Sequence, residues 1–137
     1  MLGALIAKSR VRSGFAAIAR GDLEAFVSVF AEDGEVIYPT KGSIKGKEAI
    51  RAFFRHFMET FPTVDVIVHN VGVENIFDLI GNNVVFTHFE VRTTNRKGNT
   101  FRQEGVQRIK IRHGKLTLLH YVFFDTENLL HAWKESE

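Results

Sequence analysis

The 137-residue chain has no cysteine, only two prolines and a single tryptophan. Without thiols it can form neither a disulfide framework nor a thiolate metal site. Its six histidines show no His-x-His or His-Glu-x-x-His spacing, so no metal site is expected, and nothing calls for another cofactor. A net charge of +2 is too small to suggest nucleic acid. The basic residues Arg92, Arg96, Lys97, Arg102, Arg108, Lys110 and Arg112 fall on strands and a hairpin without an aromatic stacking pattern on the same face. They read as a solvated surface rather than an RNA platform. No apolar run approaches the ~20 residues of a membrane span. The start, MLGALIAKSR, lacks a leading basic region and is interrupted by Lys8, unlike a signal peptide. The expectation is a cytoplasmic protein with no nucleic-acid or membrane partner.

What the chain has in excess is phenylalanine, thirteen residues against two tyrosines. In one domain of this size they predict an aromatic core and an apolar cavity lined by rings. Residues 1–137 form a single unit with neither an internal repeat nor a linker.

Helical spacing dominates the first half. Leu5, Val11, Phe15 and Ile18 mark a first helix stopped by Gly21. Asp22 caps a second, with Leu23, Phe26, Val27 and Phe30 on its apolar stripe. Glu35 to Tyr38 is a short strand closed by Pro39, and 41–46 is turn-rich. A third helix carries Ile50, Phe53, Phe54 and Phe57 before Phe61-Pro62. The period then shortens to two. Val64 to Ile80 reads as one long strand bent near Asn70-Val71-Gly72, with 81–83 as a hairpin turn. Val84 to Thr94, Thr100 to Ile111 and Leu116 to Phe124 complete a meander, and Asp125 opens a short helix through Trp133. The predicted class is α+β, with helices on the concave face of a strongly curved antiparallel sheet.

Three stretches carry a resemblance: Ala19-Arg20-Gly21-Asp22-Leu23-Glu24-Ala25-Phe26, Phe30 through Pro39, and Gly46 through Phe54. With Gly105 through Ile111, His113-Gly114-Lys115-Leu116 and the aromatic strand ending at Asp125, they look like SnoaL-like proteins. These belong to the nuclear-transport-factor-2-like cone fold, with ketosteroid isomerases, polyketide cyclases and limonene epoxide hydrolases as relatives. The resemblance spans about residues 10 to 133. It implies a cone with an internal pocket but not one chemistry, because the fold hosts several. Ketosteroid isomerases place a general base where this chain has Tyr38, and an oxyanion-site aspartate where it has Gln107. The Arg-x-Asp pair of the epoxide hydrolases is absent from the strands. For a SnoaL-type aldol cyclisation the nearest matching carboxylate is Asp125.

Hairpin geometry nominates further residues. With the loop centred near Arg96-Lys97, Phe86 lies opposite Gln107, His88 opposite Gly105, and Glu90 opposite Gln103. All six then share the concave face, while Arg102, Arg108 and Lys110 face solvent. A one-residue slip reverses the assignment. The candidate catalytic residues are Asp125 and His88. The candidate ligand-binding residues are Tyr38, Phe57, Phe86, Glu90, Gln103 and Gln107. Each has a plainer reading: a lone strand histidine is usually a satisfied rim residue, Asp125 a helix cap, and Tyr38 and Phe57 core rings. The stretch from Gly114 to Asp125 is one residue longer than the family's usual spacing, which implies a bulge. Either Tyr121 and Phe123 or His120 and Val122 therefore point inward.

The expectation is a small-molecule pocket protein, either a cofactor-free isomerase, cyclase or hydratase acting on a hydrophobic carbonyl compound, or a non-catalytic ligand-binding module. With His88 inward, Val85, Thr87, Phe89, Val91 and Val106 point outward, which predicts a homodimer through the convex sheet face.

Overall fold

Gly21, at φ 72°, makes the sharp reversal between the first two helices possible. A computed structural model describes all 137 residues as four helices and six strands. Helix α1 (Leu2–Ala19) precedes this turn and α2 (Leu23–Ser28) follows it, with the Asp22 side chain accepting from Ala25 N at 3.1 Å. The elements after them are β1 (Phe30–Tyr38), β2 (Gly42–Lys45), α3 (Lys47–Thr60), β3 (Thr63–Val73), β4 (Asn83–Thr94), β5 (Thr100–Arg112), β6 (Lys115–Phe123) and α4 (Thr126–Ser136).

The strands form one sheet in the order β2-β1-β6-β5-β4-β3. All neighbours are antiparallel except β1 and β6, which run parallel, a departure from the wholly antiparallel sheet expected. A parallel pair needs a long crossover, and the chain between β1 and β6 supplies one by building α3 and most of the sheet.

Three local expectations are corrected. First, the second helix does not extend through Phe30. Phe30 instead begins β1, paired with Leu116 while Leu116 N donates to Val29 O at 2.9 Å. Sheet pairing outweighs a helical spacing that continues only a few residues further. Second, the turn-rich segment contains β2, where Ile44 pairs with Val36. Third, β3 ends at Val73, not Ile80. Asp78, buried in the loop that follows, accepts from the amides of Ile80, Gly81 and Asn82 at 3.0–3.1 Å. This folds 74–82 back and leaves Ile76, Phe77, Leu79 and Ile80 exposed. Their apolar letters imitate a strand.

The α3 stripe is as expected, with Ile50, Phe53, Phe54 and Phe57 all buried. Each contributes about 1.5–3 kcal/mol by leaving water. They meet Phe26, Phe30, Tyr38, Phe89, Phe123 and Trp133 in one cluster between helices and sheet. No helix is long and apolar enough to cross a membrane.

Candidate functional site

The β4–β5 pairing decides which side chains can reach the interior. Thr94 pairs with Thr100, leaving the five residues Asn95 to Asn99 as the loop, centred on Lys97. The Asn95 carboxamide organises it by accepting from Lys97 N at 3.0 Å and Asn99 N at 2.9 Å. Gly98 takes φ 86°. The resulting register pairs Phe86 with Arg108, Thr87 with Gln107, His88 with Val106, Phe89 with Gly105, Glu90 with Glu104 and Val91 with Gln103. This is one residue away from the expected register, so every β4 side chain faces opposite to the expectation.

Val85, Thr87, Phe89, Val91 and Thr93 therefore point toward the helices, and Phe86, His88 and Glu90 toward the convex face. On β5 the expected assignment holds: Gln103, Gly105 and Gln107 face inward, and Arg102, Arg108 and Lys110 outward. The second open question is settled by a bulge at Thr117, where β6 slips against β5 between Leu116 and Leu118. It turns Tyr121 and Phe123 inward.

Between α1, α2, α3 and the inward sheet face lies a cavity of ≈ 70 Å³. Its wall is mainly aliphatic and aromatic, including Phe15, Phe57, Phe89, Val91 and Phe123. Gly14 adds to the space, since a Cβ there would find only Val29 and Phe26, at 3.8–4.0 Å. Few of the lining residues carry polar groups: Tyr38, Tyr121, Gln107 and, at the surface, Arg10.

Each interior polar group is held by a neighbour. Trp133 Nε1 donates to the Tyr38 hydroxyl at 2.9 Å, which leaves the Tyr38 proton free to donate. Thr87 Oγ1 donates to Gln107 Oε1 at 3.0 Å. Tyr121 pairs with Gln107 across β5–β6, and its ring lies 5.3 Å from that of Tyr38. Burial raises the pKa of both phenols well above the usual tyrosine value. For Tyr121 the neighbouring Tyr38 adds to the rise and the Gln107 carboxamide opposes it. Both are neutral hydrogen-bond donors at physiological pH, not bases.

Of the sequence candidates, Tyr38, Phe57 and Gln107 come together at the cavity. Gln103 is buried on the same sheet face but under α4. Its Oε1 accepts from Asn128 Nδ2 at 3.4 Å, and its Nε2 has no partner. Asp125 lies away from the cavity as the N-cap of α4, accepting from Asn128 N at 2.9 Å.

Phe86, His88 and Glu90 sit on the convex face. There His88 Nε2 lies 2.7 Å from Glu104 Oε2, and Arg102 bridges Glu104 and Glu90. Arg92 and His69 flank Glu90 at 3.7 and 4.0 Å. The Arg102 hydrogen bond, outweighing burial, holds the Glu90 carboxyl below the usual range. The His88 contact, then Arg102, does the same for Glu104. These polar groups satisfy one another, so their clustering has a structural explanation.

Sequence reasoning left Tyr121 open and missed Arg10, Phe15 and Phe89. For Phe89 the signal was present: Val85-x-Thr87-x-Phe89-x-Val91 is the more apolar alternation of β4. Arg10 had no comparable signal, because only tertiary packing brings it to the cavity.

Comparison with curated protein sequences gave no match. Among solved structures, an LEH-like epoxide hydrolase of M. tuberculosis superposes with a TM-score of 0.76 at 14% identity, covering 97% of this chain and 92% of that one. The epoxide hydrolase/cyclase-like enzyme SalBIII, of pyran ring formation in the polyether salinomycin, gives 0.74 at 18%, covering 88% and 92%. TerC, co-crystallised with polyporic acid, gives 0.70 at 20%, covering 94% and 98%. At these identities the likeness is one of fold. The sequence itself matches the model of the SnoaL-like domain over residues 11–119. This chain therefore belongs to the SnoaL-like domain family.

Proposed function

We propose that the protein binds a hydrophobic small molecule carrying a carbonyl or hydroxyl oxygen, with its apolar body in the Phe-lined cavity and its oxygen at Tyr121, Tyr38 and Gln107. The observation that carries this reading is the pair of neutral phenols and one carboxamide set into an otherwise apolar wall. Buried donors in such a wall orient a ligand oxygen and polarise it. Of the two readings open from sequence, binding is favoured over general acid/base catalysis. Burial keeps the two lining phenols, Tyr38 and Tyr121, protonated, so neither is a base near neutral pH, and no carboxylate or imidazole lines the cavity. Asp125 and His88, the residues nominated for proton transfer, are engaged elsewhere. The cyclase and epoxide-hydrolase relatives support a small-molecule ligand through their fold.

The test is titration with the neutral fluorophore N-phenyl-1-naphthylamine. Saturable one-to-one binding that is lost in Gly14→Leu, which fills the cavity, and retained in His88→Ala supports the reading. Absence of binding, or binding indifferent to Gly14→Leu, overturns it.

The partner we propose is a second copy docked on the convex sheet face. Four of the residues first assigned to that face point inward, but the face that replaces them exposes Ile67, Phe86, Val122 and Phe124 at 44–62%. The acidic and basic groups around them, Glu90, Glu104, Arg92, Arg102 and Arg108, give a two-fold contact opposite charges to pair.

A further inference from the structure

Arg10 is the charged residue that lines the cavity, and it is also solvent-exposed, so it marks where the cavity meets water. It forms no salt bridge or hydrogen bond, whereas Arg20, Arg51, Arg92 and Arg102 are each paired. Its surroundings do not neutralise it. The first nineteen residues contain Lys8, Arg10 and Arg12 and no acid. On β3, which packs against α1, Asp65 pairs with Arg92 and points to the other face of the sheet. Arg10 shares the cavity lining with half-buried Phe15, Val66 and Val91, and at such a boundary of low polarity the attraction of a guanidinium for an anion is screened less than in open water.

From this the geometry points to an amphipathic anion as the ligand class: an aryl or alkyl body inside the cavity, with a carboxylate or sulfonate held at its mouth by Arg10. Arg10 acts here as an anchor that sets which end of the ligand enters first. The apolar end passes Phe15 and Val91 toward Phe89, and the anionic end stays at the surface, where a planar fork of N–H donors fits a carboxylate. The inference rests on the cavity reading above and adds the charge and orientation of the ligand.

Two probes with the same anilinonaphthalene body test it, one bearing a sulfonate (1-anilinonaphthalene-8-sulfonate) and one neutral (N-phenyl-1-naphthylamine). Fluorescence titrations compare the unaltered protein with Arg10→Gln, Arg10→Lys and Gly14→Leu. Expected is a loss of about fivefold to tenfold in sulfonate affinity on Arg10→Gln, with neutral-probe affinity little changed. Arg10→Lys should keep most of the preference, and high salt should erase it only where Arg10 or Lys is present. Because the exposed Phe77 and Leu79 also attract such probes, ¹H–¹⁵N spectra of the unaltered protein locate each one. Shifts at Gly14 and the Gln107 side-chain amide are expected, and shifts confined to residues 76–80 would overturn the inference. So would equal losses for both probes, or none, in Arg10→Gln. If the neutral probe fails to enter the unaltered protein, the cavity reading itself falls. If it enters while the sulfonate gains nothing from Arg10, only the anion anchor falls.

Discussion

Thr87 faces Gln107 directly across the β4–β5 ladder and donates its hydroxyl to Gln107 Oε1 at 3.0 Å, with both residues buried. This contact fixes the inward face of β4, and it positions the Gln107 carboxamide against Tyr121 at the cavity wall. Replacing Gln107 with Leu leaves the Thr87 hydroxyl unpaired in an apolar setting. The expected cost is about 1–3 kcal/mol, measured by urea unfolding. Thr87→Val in the same background should recover part of it. An additive double variant would show that the two side chains do not couple.

Gln103 makes the opposite case. It is just as buried, but its Nε2 lacks a partner and Asn128 Nδ2 also donates to Arg102 O at 3.0 Å. Gln103→Met removes an unsatisfied donor without stranding its neighbour. Stability should stay within about 0.5 kcal/mol of the parent or rise. A loss comparable to that of Gln107→Leu would mean the amide has an unseen partner.

Two inward glycines should respond differently to alanine. At Gly14 the added methyl lies in ordinary contact range of Val29 and Phe26, and the position is mid-helix. Gly14→Ala should stabilise by roughly 0.5–1 kcal/mol. At Gly105 the same methyl falls on the Val122 carbonyl oxygen and the Phe123 backbone, which cannot move without parting β5 from β6. Gly105→Ala should cost about 2 kcal/mol or more. Thermal unfolding of the two variants reads both signs.

Acid should weaken the fold through three carboxylates. Glu90 and Glu104 are held below their ordinary value of 4.5, chiefly by Arg102 and His88 respectively. Burial pushes Asp78 up, but the amides of Ile80, Asn82 and Gly81 and the Asn83 side chain hold it below 3.8. A depressed folded-state value means that stability is fully present above the unfolded value and is lost as pH falls through the folded one. Melting temperature should therefore drop progressively below about pH 4.5, the ordinary glutamate value. Glu104→Gln should make that drop shallower, and an unchanged slope would contradict the proposed role of the convex network.

The convex-face dimer predicts a mass near twice 15.6 kDa in sedimentation at micromolar concentration. Phe124→Glu should return the monomer without loss of the fold, because Phe124 is 62% exposed in the single chain. A monomer before any substitution would refute it.

The sequence by itself determined the α+β class, the order of the main helices and strands, the family and the α3 stripe. These follow from local periodicity, from caps such as Asp22 and from contiguous motifs, all carried by neighbouring residues. It could not settle whether Tyr121 or His120 faces inward, because one bulged residue at Thr117 reverses the alternation. Tertiary structure also decided that Phe30 is a strand residue, that His88 faces outward, and that Arg10 reaches the cavity. A strand's two faces differ by a single step in register. That step was fixed locally by the five-residue loop built on Asn95 and, across tens of residues, by burial of the Val85-to-Val91 alternation beneath α1.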